Sequence, residues 1–395
     1  MKILQVHNEY QYIGGEEVVI AAEQTMLQNY GHHVFQWILD NSILQNYNFL
    51  KKAKYAVQSI WSFDSYLQLK KKLQECRPNI VHVHNTVPLL SPSIYAACHD
   101  SYVPVVQTLH NYKFICPGSN LYRNHRICEE CVGKKFTYPA LVHGCYRKDY
   151  VSTWFAVMGL TVNRLRGTYQ HEIDTYIALT EFARQKFIEG GLPSEKIAVK
   201  PNFITHDIKL GNHKGGYALF VGRLIPQKGV ETLLQAWNLL DSCIPLKIVG
   251  RGSLETLFKS NLPEGVEYLD ALPRDKVLQL MQDASLLVFP TEWYETFGLV
   301  IIEAFATGLP VVASRTGGVI EIVKDGLSGW HFRPGDPQDL ARVVQSAWSH
   351  PGELQRRGIL ARKEYEDYYS VEKTYQTTIN IYKKAIDNFS KSYKT

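Results

Sequence analysis

The chain has 395 residues, of which 45% are hydrophobic and 21% charged. This composition is typical of folded globular proteins and excludes a disordered chain, while the length favours two domains over one. The net charge of +5 arises in residues 1–200, where 21 Lys and Arg stand against 16 Asp and Glu. So small an excess, without an aromatic and basic module, argues against a nucleic-acid-binding protein.

Short basic runs at residues 51–54, 70–72 and 134–135 carry this excess. They are interpreted either as solvated helix faces or as a surface with weak attraction to an anionic membrane or a pyrophosphate-linked acceptor. Residues 1–6 resemble a first strand rather than a signal peptide, and no stretch has the roughly 18 apolar residues of a membrane-spanning helix. We therefore expect a cytoplasmic protein, at most peripheral at the inner face of the membrane.

The first half alternates apolar, strand-like runs with helical patterns. A strand at residues 3–7, the pair Gly14 and Gly15, a helix at 16–29 and a strand at 34–38 form the usual opening of a doubly wound domain. In that position the glycine N–H groups would face phosphate, although the pair could also form an ordinary turn. Further strands are predicted at residues 80–84, 103–109, 173–179 and 197–200.

Two histidines stand where predicted strands end. His84 ends the run at 80–84, and His110 follows the run at 103–109. Residues just past the carboxyl ends of parallel strands line the ligand crevice of an open sheet. The sequence leaves two roles open for each ring, a hydrogen-bonded structural residue and a functional one.

The segment 116–145 interrupts this alternation and contains Cys116, Cys128, Cys131 and Cys145. A C-x2-C pair places two thiolates on one turn, and two distant cysteines can complete a tetrahedral structural zinc site. The alternative is four unrelated buried thiols. Seven cysteines in a cytoplasmic chain argue against a disulfide framework.

Polar, turn-rich residues at 201–216 form the best linker of the chain. We therefore place an N-terminal acceptor-binding domain at 1–204, which includes the cysteine-containing insertion, and a C-terminal donor-binding domain at 205–368. The segment 369–395 shows helical spacing and is predicted to form a final helix. In the helical pattern at 151–169, Trp154 is interpreted as a core-packing residue, with a membrane-facing surface as the alternative.

The second half repeats the alternation of strands and helices. After its first predicted strand, the loop at 222–229 carries Arg223 and Lys228, two positive charges in one turn. This pattern favours a diphosphate clamp over two separate surface charges. Gly250 and Arg251 open a second tight turn. The predicted strands are at residues 217–221, 246–249, 266–269, 286–289 and 311–314.

Two carboxylates bracket the helical pattern at residues 297–307. Glu295 is predicted at the helix start and Glu303 about two turns further, roughly 12 Å away along the axis. Backbone N–H groups from Thr296 to Leu299 would be unpaired at the helix N-terminus between them. This arrangement suits a ligand that carries both sugar hydroxyls and phosphate.

Several motifs occur together: Gly222-Arg223 with Lys228-Gly229, the pair Glu295 and Glu303 with Phe297-Gly298-Leu299 between them, and the run at 303–312. In this combination the chain resembles the retaining glycosyltransferases of family 4, and the resemblance covers nearly the whole chain. It implies an α/β protein with the GT-B fold, in which two Rossmann-like doubly wound domains face each other across a cleft. The last helix would cross back onto the first domain.

The resemblance also implies roles for individual residues. Arg223 and Lys228 would bind the donor diphosphate and stabilise it during catalysis. Glu303 would hold the ribose hydroxyls, and Glu295 would face the transferred sugar as an orienting group. His110 would lie near the reacting carbon. The remaining donor-binding residues would be Gly14, Gly15, Gly250, Arg251, Thr296, Phe297, Gly298 and Leu299.

The implied activity is transfer of a sugar from a UDP- or GDP-sugar to an acceptor hydroxyl with retention of anomeric configuration. The acceptor would be a saccharide or a lipid-linked saccharide, in polysaccharide or glycoconjugate biosynthesis. No metal would be needed for the chemistry, and the sequence contains no Asp-X-Asp triplet. Three alternatives stay open: a GT-B sugar-nucleotide epimerase, a disaccharide phosphorylase and a non-catalytic sugar-nucleotide-binding subunit. Asp270 stands where many relatives have glycine, which leaves the nucleotide open.

Overall fold

The computed structural model describes residues 1–9, 14–46, 48–205, 208–240, 244–259 and 262–392. They form two compact units. The first unit contains Met1–Leu121, Cys128–Pro201 and Thr374–Thr395, and the second contains Tyr122–Ile127 and Asn202–Lys373. The chain therefore passes between the units after Leu121, Ile127, Pro201 and Lys373. The sequence analysis had placed its two boundaries after residues 204 and 368.

Parallel sheets organise both units. The strands, in chain order, are β1 (Lys2–Glu9), β2 (His33–Asp40), β3 (Ile80–Val83), β4 (Val105–Thr108), β5 (Tyr122–Arg123), β6 (Arg126–Ile127), β7 (Thr175–Ala178), β8 (Ile197–Val199), β9 (Ala218–Val221), β10 (Leu246–Val249), β11 (Val266–Tyr268), β12 (Leu286–Phe289), β13 (Val311–Ser314) and β14 (Gly329–Phe332). The first sheet has the order β2-β1-β3-β4-β7-β8, and the second has the order β11-β10-β9-β12-β13-β14. β5 and β6 form a separate antiparallel hairpin.

Helices connect most of the successive strands of the two parallel sheets. They are α1 (Gly15–Asn29), α2 (Phe49–Gln58), α3 (Phe63–Cys76), α4 (Ser93–Asp100), α5 (Tyr138–His143), α6 (Tyr150–Leu165), α7 (Thr168–His171), α8 (Glu181–Glu189), α9 (Val230–Leu239), α10 (Arg274–Asp283), α11 (Leu299–Thr307), α12 (Val319–Ile322), α13 (Pro337–Trp348), α14 (Pro351–Tyr368) and α15 (Val371–Ser392). The two parallel-sheet α/β units confirm the predicted fold class.

The strand order of each sheet reverses at one point. In the first sheet the reversal lies between β1 and β3, and in the second it lies between β9 and β12. Ligands of open α/β sheets bind outside the carboxyl ends of the strands at such a switch point. The predicted Gly14 and Gly15 loop follows β1, and the Arg223 and Lys228 loop follows β9. Both predicted phosphate loops thus come from strands at a switch point.

The helix after β12 begins later than the sequence predicted. α11 starts at Leu299, because Gly298 has φ 102°, a left-handed conformation that cannot continue a right-handed helix. Glu295 therefore lies in the preceding loop and not at the helix start. The separation of about 12 Å from Glu303 along a helix axis was wrong for this reason, since helical rise does not fix the position of a loop residue.

α15 joins the first unit from Thr374 onward. There the Tyr382 hydroxyl and Nδ1 of His82 share a hydrogen bond of 2.7 Å, and both side chains are fully buried. None of the helices in the described residues is long and apolar enough to cross a membrane.

Candidate active site

The loops after β9 and β12 meet at the switch point of the second sheet. Gly229 ends the β9 loop with φ 65°, and a Cβ atom at this position would lie 1.8 Å from the carbonyl oxygen of Pro290. Only glycine permits this approach. The backbone N–H of Glu292 donates to the carbonyl oxygen of Gln227 at 2.9 Å, which links the two loops directly.

This approach joins Lys228 and Glu295, which the sequence predicted to be functional. Lys228 Nζ lies 2.7 Å from Oε2 of Glu295, and the indole N–H of Trp293 donates to the same oxygen at 2.7 Å. Both charged side chains are mostly buried, with exposed fractions of 15% and 12%. A charge-assisted hydrogen bond in such surroundings holds both groups in place.

Arg223 lies on the same loop as Lys228 but differs in its surroundings. Its side chain is exposed, and within the described parts of the chain it forms no ion pair. The switch point thus carries one cation fixed by a carboxylate and one cation available to an anionic ligand.

Gly250 lets the turn after β10 pack against the β9 loop. A Cβ atom on Gly250 would lie 1.8 Å from the carbonyl oxygen of Gly222. The neighbouring Arg251 binds Asp270 through two hydrogen bonds, one of them from Nη2 at 2.8 Å. Arg251 holds the pKa of the Asp270 carboxyl well below its usual range. The predicted donor-binding residue Arg251 is therefore paired with Asp270. The sequence analysis had noted Asp270 only because many relatives have glycine at this position.

Glu303 lies in the second turn of α11 and is paired with Arg274, the first residue of α10. Oε1 of Glu303 lies 2.9 Å from Nη2 of Arg274. Burial raises the pKa of Glu303, and Arg274 acts in the opposite direction. Sequence reasoning missed Arg274, because no motif relates it to a carboxylate 29 positions further along the chain.

Phe297 and Gly298 can contribute only backbone to a ligand site. The Phe297 side chain is 2% exposed and packs edge-on against Tyr369, with ring centroids 5.9 Å apart. Gly298 caps α11, so the first unpaired N–H groups of the helix begin at Leu299. Thr296 lies in the loop between Glu295 and this cap.

The glycine loop of the first unit is described only in part, since residues 10–13 lie outside the described residues. Gly14 is the N-cap of α1, and its N–H donates to Oε2 of Glu17 at 2.8 Å. Gly15 is the first residue of the helix. The predicted position of both glycines at a helix N-terminus is thus observed, while their function stays a prediction.

His110 lies next to His84. Nε2 of His110 is 3.0 Å from Nδ1 of His84. Burial lowers the pKa of both imidazoles well below the ordinary value, and the neighbouring His82 lowers the pKa of His84 further. Both rings are therefore neutral near pH 7.

Lys113 is a residue that the sequence analysis missed. Its Nζ donates to Oδ1 of Asn85 at 2.5 Å. Burial lowers its pKa to about 8, and the charge of Glu16 acts in the opposite direction. No short motif surrounds Lys113, so only its place three residues after His110 could have drawn attention to it.

Lys113 lines a cavity of about 770 Å³ in the first unit. α6 forms one wall with Phe155 and Gly159, and the strand-end residues Asn85 and Asn111 form another. The cavity walls include two cationic side chains, from Lys113 and Arg147, and none of the described lining residues is acidic.

The four predicted zinc ligands are reduced and lie in one region. Burial raises the pKa of the Cys131 thiol to about 12, and Cys116, Cys145 and Cys128 add to the effect. Among the described residues, the metal-ligand atoms that lie within 4.8 Å of one another belong to Glu23, His82 and His84. The sulfur atoms of the four cysteines are therefore farther apart than they would be around a bound zinc ion. Their donor chemistry fits zinc.

Two family models together match most of the chain. The model described as Glycosyltransferase Family 4 matches residues 13–208, and the model described as Glycosyl transferases group 1 matches residues 203–364. Their junction lies close to the passage between the two units after Pro201.

Among curated proteins, an uncharacterised glycosyltransferase of Methanocaldococcus jannaschii is 34% identical over 176 residues, which are 43% of this chain and 45% of that protein. A second one from the same organism is 29% identical over 57% of this chain. The matched segments thus span only 45% and 65% of these relatives' own length.

The fold has close counterparts among solved structures. The crystal structure of Anabaena HepE in complex with UDP superposes with a TM-score of 0.66 at 20% identity, over 96% of this chain and 99% of that chain. These identities are too low to indicate more than the fold. The counterparts are glycosyltransferase structures of the GT-B type, which confirms the predicted fold.

Proposed function

This chain belongs to the family 4 glycosyltransferases of the GT-B fold, and we propose that it transfers a sugar from a nucleoside diphosphate sugar to an acceptor hydroxyl with retention. The donor is a UDP- or GDP-sugar, and the pathway is polysaccharide or glycoconjugate biosynthesis. The main support for the proposal is the Lys228–Glu295 ion pair at the switch point of the second sheet, together with the exposed Arg223 on the same loop as Lys228.

Charge development on the leaving group explains the two cations. When the bond from the anomeric carbon to the diphosphate breaks, negative charge grows on the diphosphate oxygens. Lys228, which is held in place by Glu295, and the exposed Arg223 stabilise that charge where it develops. Arg223 supplies the charge that no described carboxylate neutralises.

Glu295 orients groups and does not act as a nucleophile in this proposal. Its Oε2 already accepts hydrogen bonds from Lys228 and Trp293. A carboxylate oxygen held in this way is a weak attacking group. Retention then follows if the acceptor hydroxyl attacks from the side of the leaving group and passes its proton to a diphosphate oxygen, while the glycosidic bond forms and the bond to the diphosphate breaks.

Glu303 and Arg251 serve the nucleoside end of the donor. Glu303 accepts hydrogen bonds from the ribose hydroxyls, and its partner Arg274 opposes the rise in pKa that burial causes. Arg251 follows β10 and its partner Asp270 follows the neighbouring strand β11, where a base can reach them. The UDP complex of the Anabaena neighbour supports a nucleotide donor for this fold.

The cavity in the first unit supports an anionic acceptor. Its cationic lining from Lys113 and Arg147, without acidic residues among the described ones, suits a phosphate, while the wall from α6 suits an apolar chain. A lipid-linked saccharide has both parts. The acceptor in this proposal is therefore a saccharide carried on a lipid diphosphate.

The segment 134–154 supports peripheral membrane binding at an anionic surface. Its large apolar side chains are exposed, including Tyr150 at 67%, Val151 at 66% and Trp154 at 47%, so the interpretation of Trp154 as a core residue was wrong. The same segment holds four Lys and Arg against one Asp. Aromatic and basic residues side by side are typical of interfacial binding to anionic lipid.

Vesicle sedimentation tests the membrane proposal. Vesicles that contain phosphatidylglycerol should retain the wild type at low salt, and phosphatidylcholine vesicles should not. The double variant V151S/W154S should lose retention, while I359S, which changes an equally exposed residue of the second unit, should keep it. Equal retention of all three proteins on both lipids would exclude the segment 134–154 as a membrane-binding surface.

A structural zinc ion on Cys116, Cys128, Cys131 and Cys145 is part of the proposal. When bound, it would order the segment between β4 and α6, and it would take no part in transfer. Metal analysis of untagged protein should find about one zinc per chain, and C128S/C131S should lose it. Metal-free protein with an unchanged melting temperature would rule out the site.

A thermal-shift panel of UDP-, GDP- and ADP-sugars tests the donor. A ligand that binds the native state raises the melting temperature according to its affinity and concentration. The proposal predicts a shift with one UDP- or GDP-sugar, and release of the nucleoside diphosphate only when acceptor is present. Conversion of the sugar into its epimer on the nucleotide, without acceptor, would favour the epimerase instead.

A further inference from the structure

A buried polar cluster lies beneath His110 in the first unit. Its members are Glu23 of α1, His82 and His84 at the end of β3, Lys200 after β8 and Tyr382 of α15. Each of these residues is at most 1% exposed. The proposed function above uses none of them.

The sequence pattern of α1 shows why Glu23 is unusual. The apolar positions Val19, Ile20, Met26 and Leu27 form the buried face of the helix, and Glu23 stands in the middle of that face. A carboxylate buried in this way is costly unless it is paired. The conflict between pattern and residue type indicates a specific task for Glu23.

The two carboxylate oxygens of Glu23 have different partners. Oε1 is paired with Nζ of Lys200 at 2.6 Å. Oε2 lies 3.5 Å from Nε2 of His84 and 3.5 Å from Nδ1 of His82. Among the described residues, neither Oε2 nor Nε2 of His84 has a hydrogen-bond partner of standard geometry. Oε2 of Glu23 is therefore the nearby acceptor for Nε2 of His84, and Nε2 of His84 is a nearby donor for Oε2.

This contact determines where the protons of two imidazoles lie. A carboxylate only accepts hydrogen bonds, so it favours the proton of His84 on Nε2. A neutral imidazole has one N–H, which leaves Nδ1 of His84 as an acceptor. Nε2 of His110 is 3.0 Å from that acceptor and must carry the proton of its own ring.

We propose that Glu23 is a positioning residue for sugar transfer: through His84 it fixes His110 in the neutral tautomer that carries its proton on Nε2. The lone pair of His110 then lies on Nδ1, which is the only ring atom that can act as a hydrogen-bond acceptor. This inference rests on the proposed function, in which His110 lies near the reacting carbon.

A metal ion on the same residues is a weaker interpretation. Ligand atoms of Glu23, His82 and His84 do lie within 4.8 Å of one another. However, the Lys200 ammonium already neutralises the single carboxylate. A divalent ion would leave two excess positive charges among fully buried residues, which is costly.

Paired substitutions test the proposal without leaving a buried charge unpaired. E23L/K200M removes the acceptor for His84 together with both charges, and E23Q/K200M keeps a neutral acceptor oxygen. Replacement of a buried ion pair by well-packed residues is often tolerated. Y382F is the control, since it removes the hydrogen bond between Tyr382 and His82 and leaves the contacts of His84 in place.

The expected result is a fall of about tenfold in kcat for E23L/K200M, as is typical when the partner that orients an imidazole is lost. The KM for the donor should not change. E23Q/K200M should recover most of the loss, and Y382F should keep wild-type kcat. Equal losses in Y382F and E23L/K200M would indicate a general packing defect and overturn the proposal.

The tautomer itself is the second measurement. In protein labelled with ¹⁵N-histidine, with the His110 signal assigned through H110N, the wild type should show the Nε2–H form. E23L/K200M should show a mixture of tautomers, and an unchanged Nε2–H signal would overturn the proposal. This measurement needs no substrate, so a wild type that transfers no sugar would refute the proposed function and leave the positioning by Glu23 testable on its own.

Discussion

The two switch points of this molecule are built from opposite kinds of side chain. In the second sheet, charged groups lie on loops, and several keep contact with water, such as Arg251 at 65% exposure. In the first sheet, neutral imidazoles and one ion pair are sealed below the surface. We propose that the same strand topology serves two needs, which are binding of a charged diphosphate and fixed placement of a proton.

The largest expected effect comes from the charge at the second switch point. K228A should lower kcat about 1,000-fold, because a fixed group that stabilises developing negative charge is lost. Its melting temperature should also fall, because the mostly buried carboxylate of Glu295 loses its cationic partner. Steady-state kinetics and thermal unfolding check both points.

The control for K228A is K276A, which removes an exposed lysine of the same unit that is hydrogen-bonded only to Gln279 among the described residues. It should retain wild-type kcat. If K228A transferred sugar as fast as K276A, the charge of Lys228 would not be needed for transfer. The proposed role of the charged groups at the second switch point would then be wrong.

A smaller effect is expected at the nucleoside end. E303A should raise the donor KM roughly 30-fold, because a hydrogen bond to a charged group contributes about 2 kcal/mol. The kcat should fall less than in K228A, since the ribose is remote from the reacting bond. E267A, an exposed carboxylate of β11, is the matched control, and an equal donor KM in both variants would contradict the assignment.

The smallest effect concerns pH at the first switch point. Burial lowers the pKa of Lys113 to about 8, so the side chain is charged below pH 8 and neutral above it. The KM for an anionic acceptor should therefore rise roughly tenfold between pH 7 and pH 9. K113R stays charged throughout this range and should not show the rise. A persistent rise in K113R would place the titrating group elsewhere.

The sequence predicted the sheets well because buried parallel strands are short apolar runs. Residues 286–289 and 311–314 were predicted with the bounds that the structure has. The start of α11 was missed by two residues, because the left-handed conformation of Gly298 depends on its packing and not on local propensity. Helical spacing alone did not contain that information.

Pairings across the chain could not be predicted in the same way. Lys228 and Glu295 are 67 positions apart, and Glu23 and Lys200 are 177 apart. A single sequence does not indicate which residues that are far apart along the chain come into contact. Glu23 could have been noticed in the sequence, because it is an acidic residue at an apolar position of the helical pattern of α1.

Ligand titration by calorimetry tests the central claim that the charged switch point binds the donor diphosphate. The nucleoside diphosphate chosen by the thermal-shift panel and its parent nucleoside are each titrated into wild type and R223A/K228A. We predict that the diphosphate binds the wild type at least about 100-fold more tightly than the nucleoside does, because two cations contact the phosphates. This preference should largely disappear in the variant, whereas an undiminished preference would contradict the account.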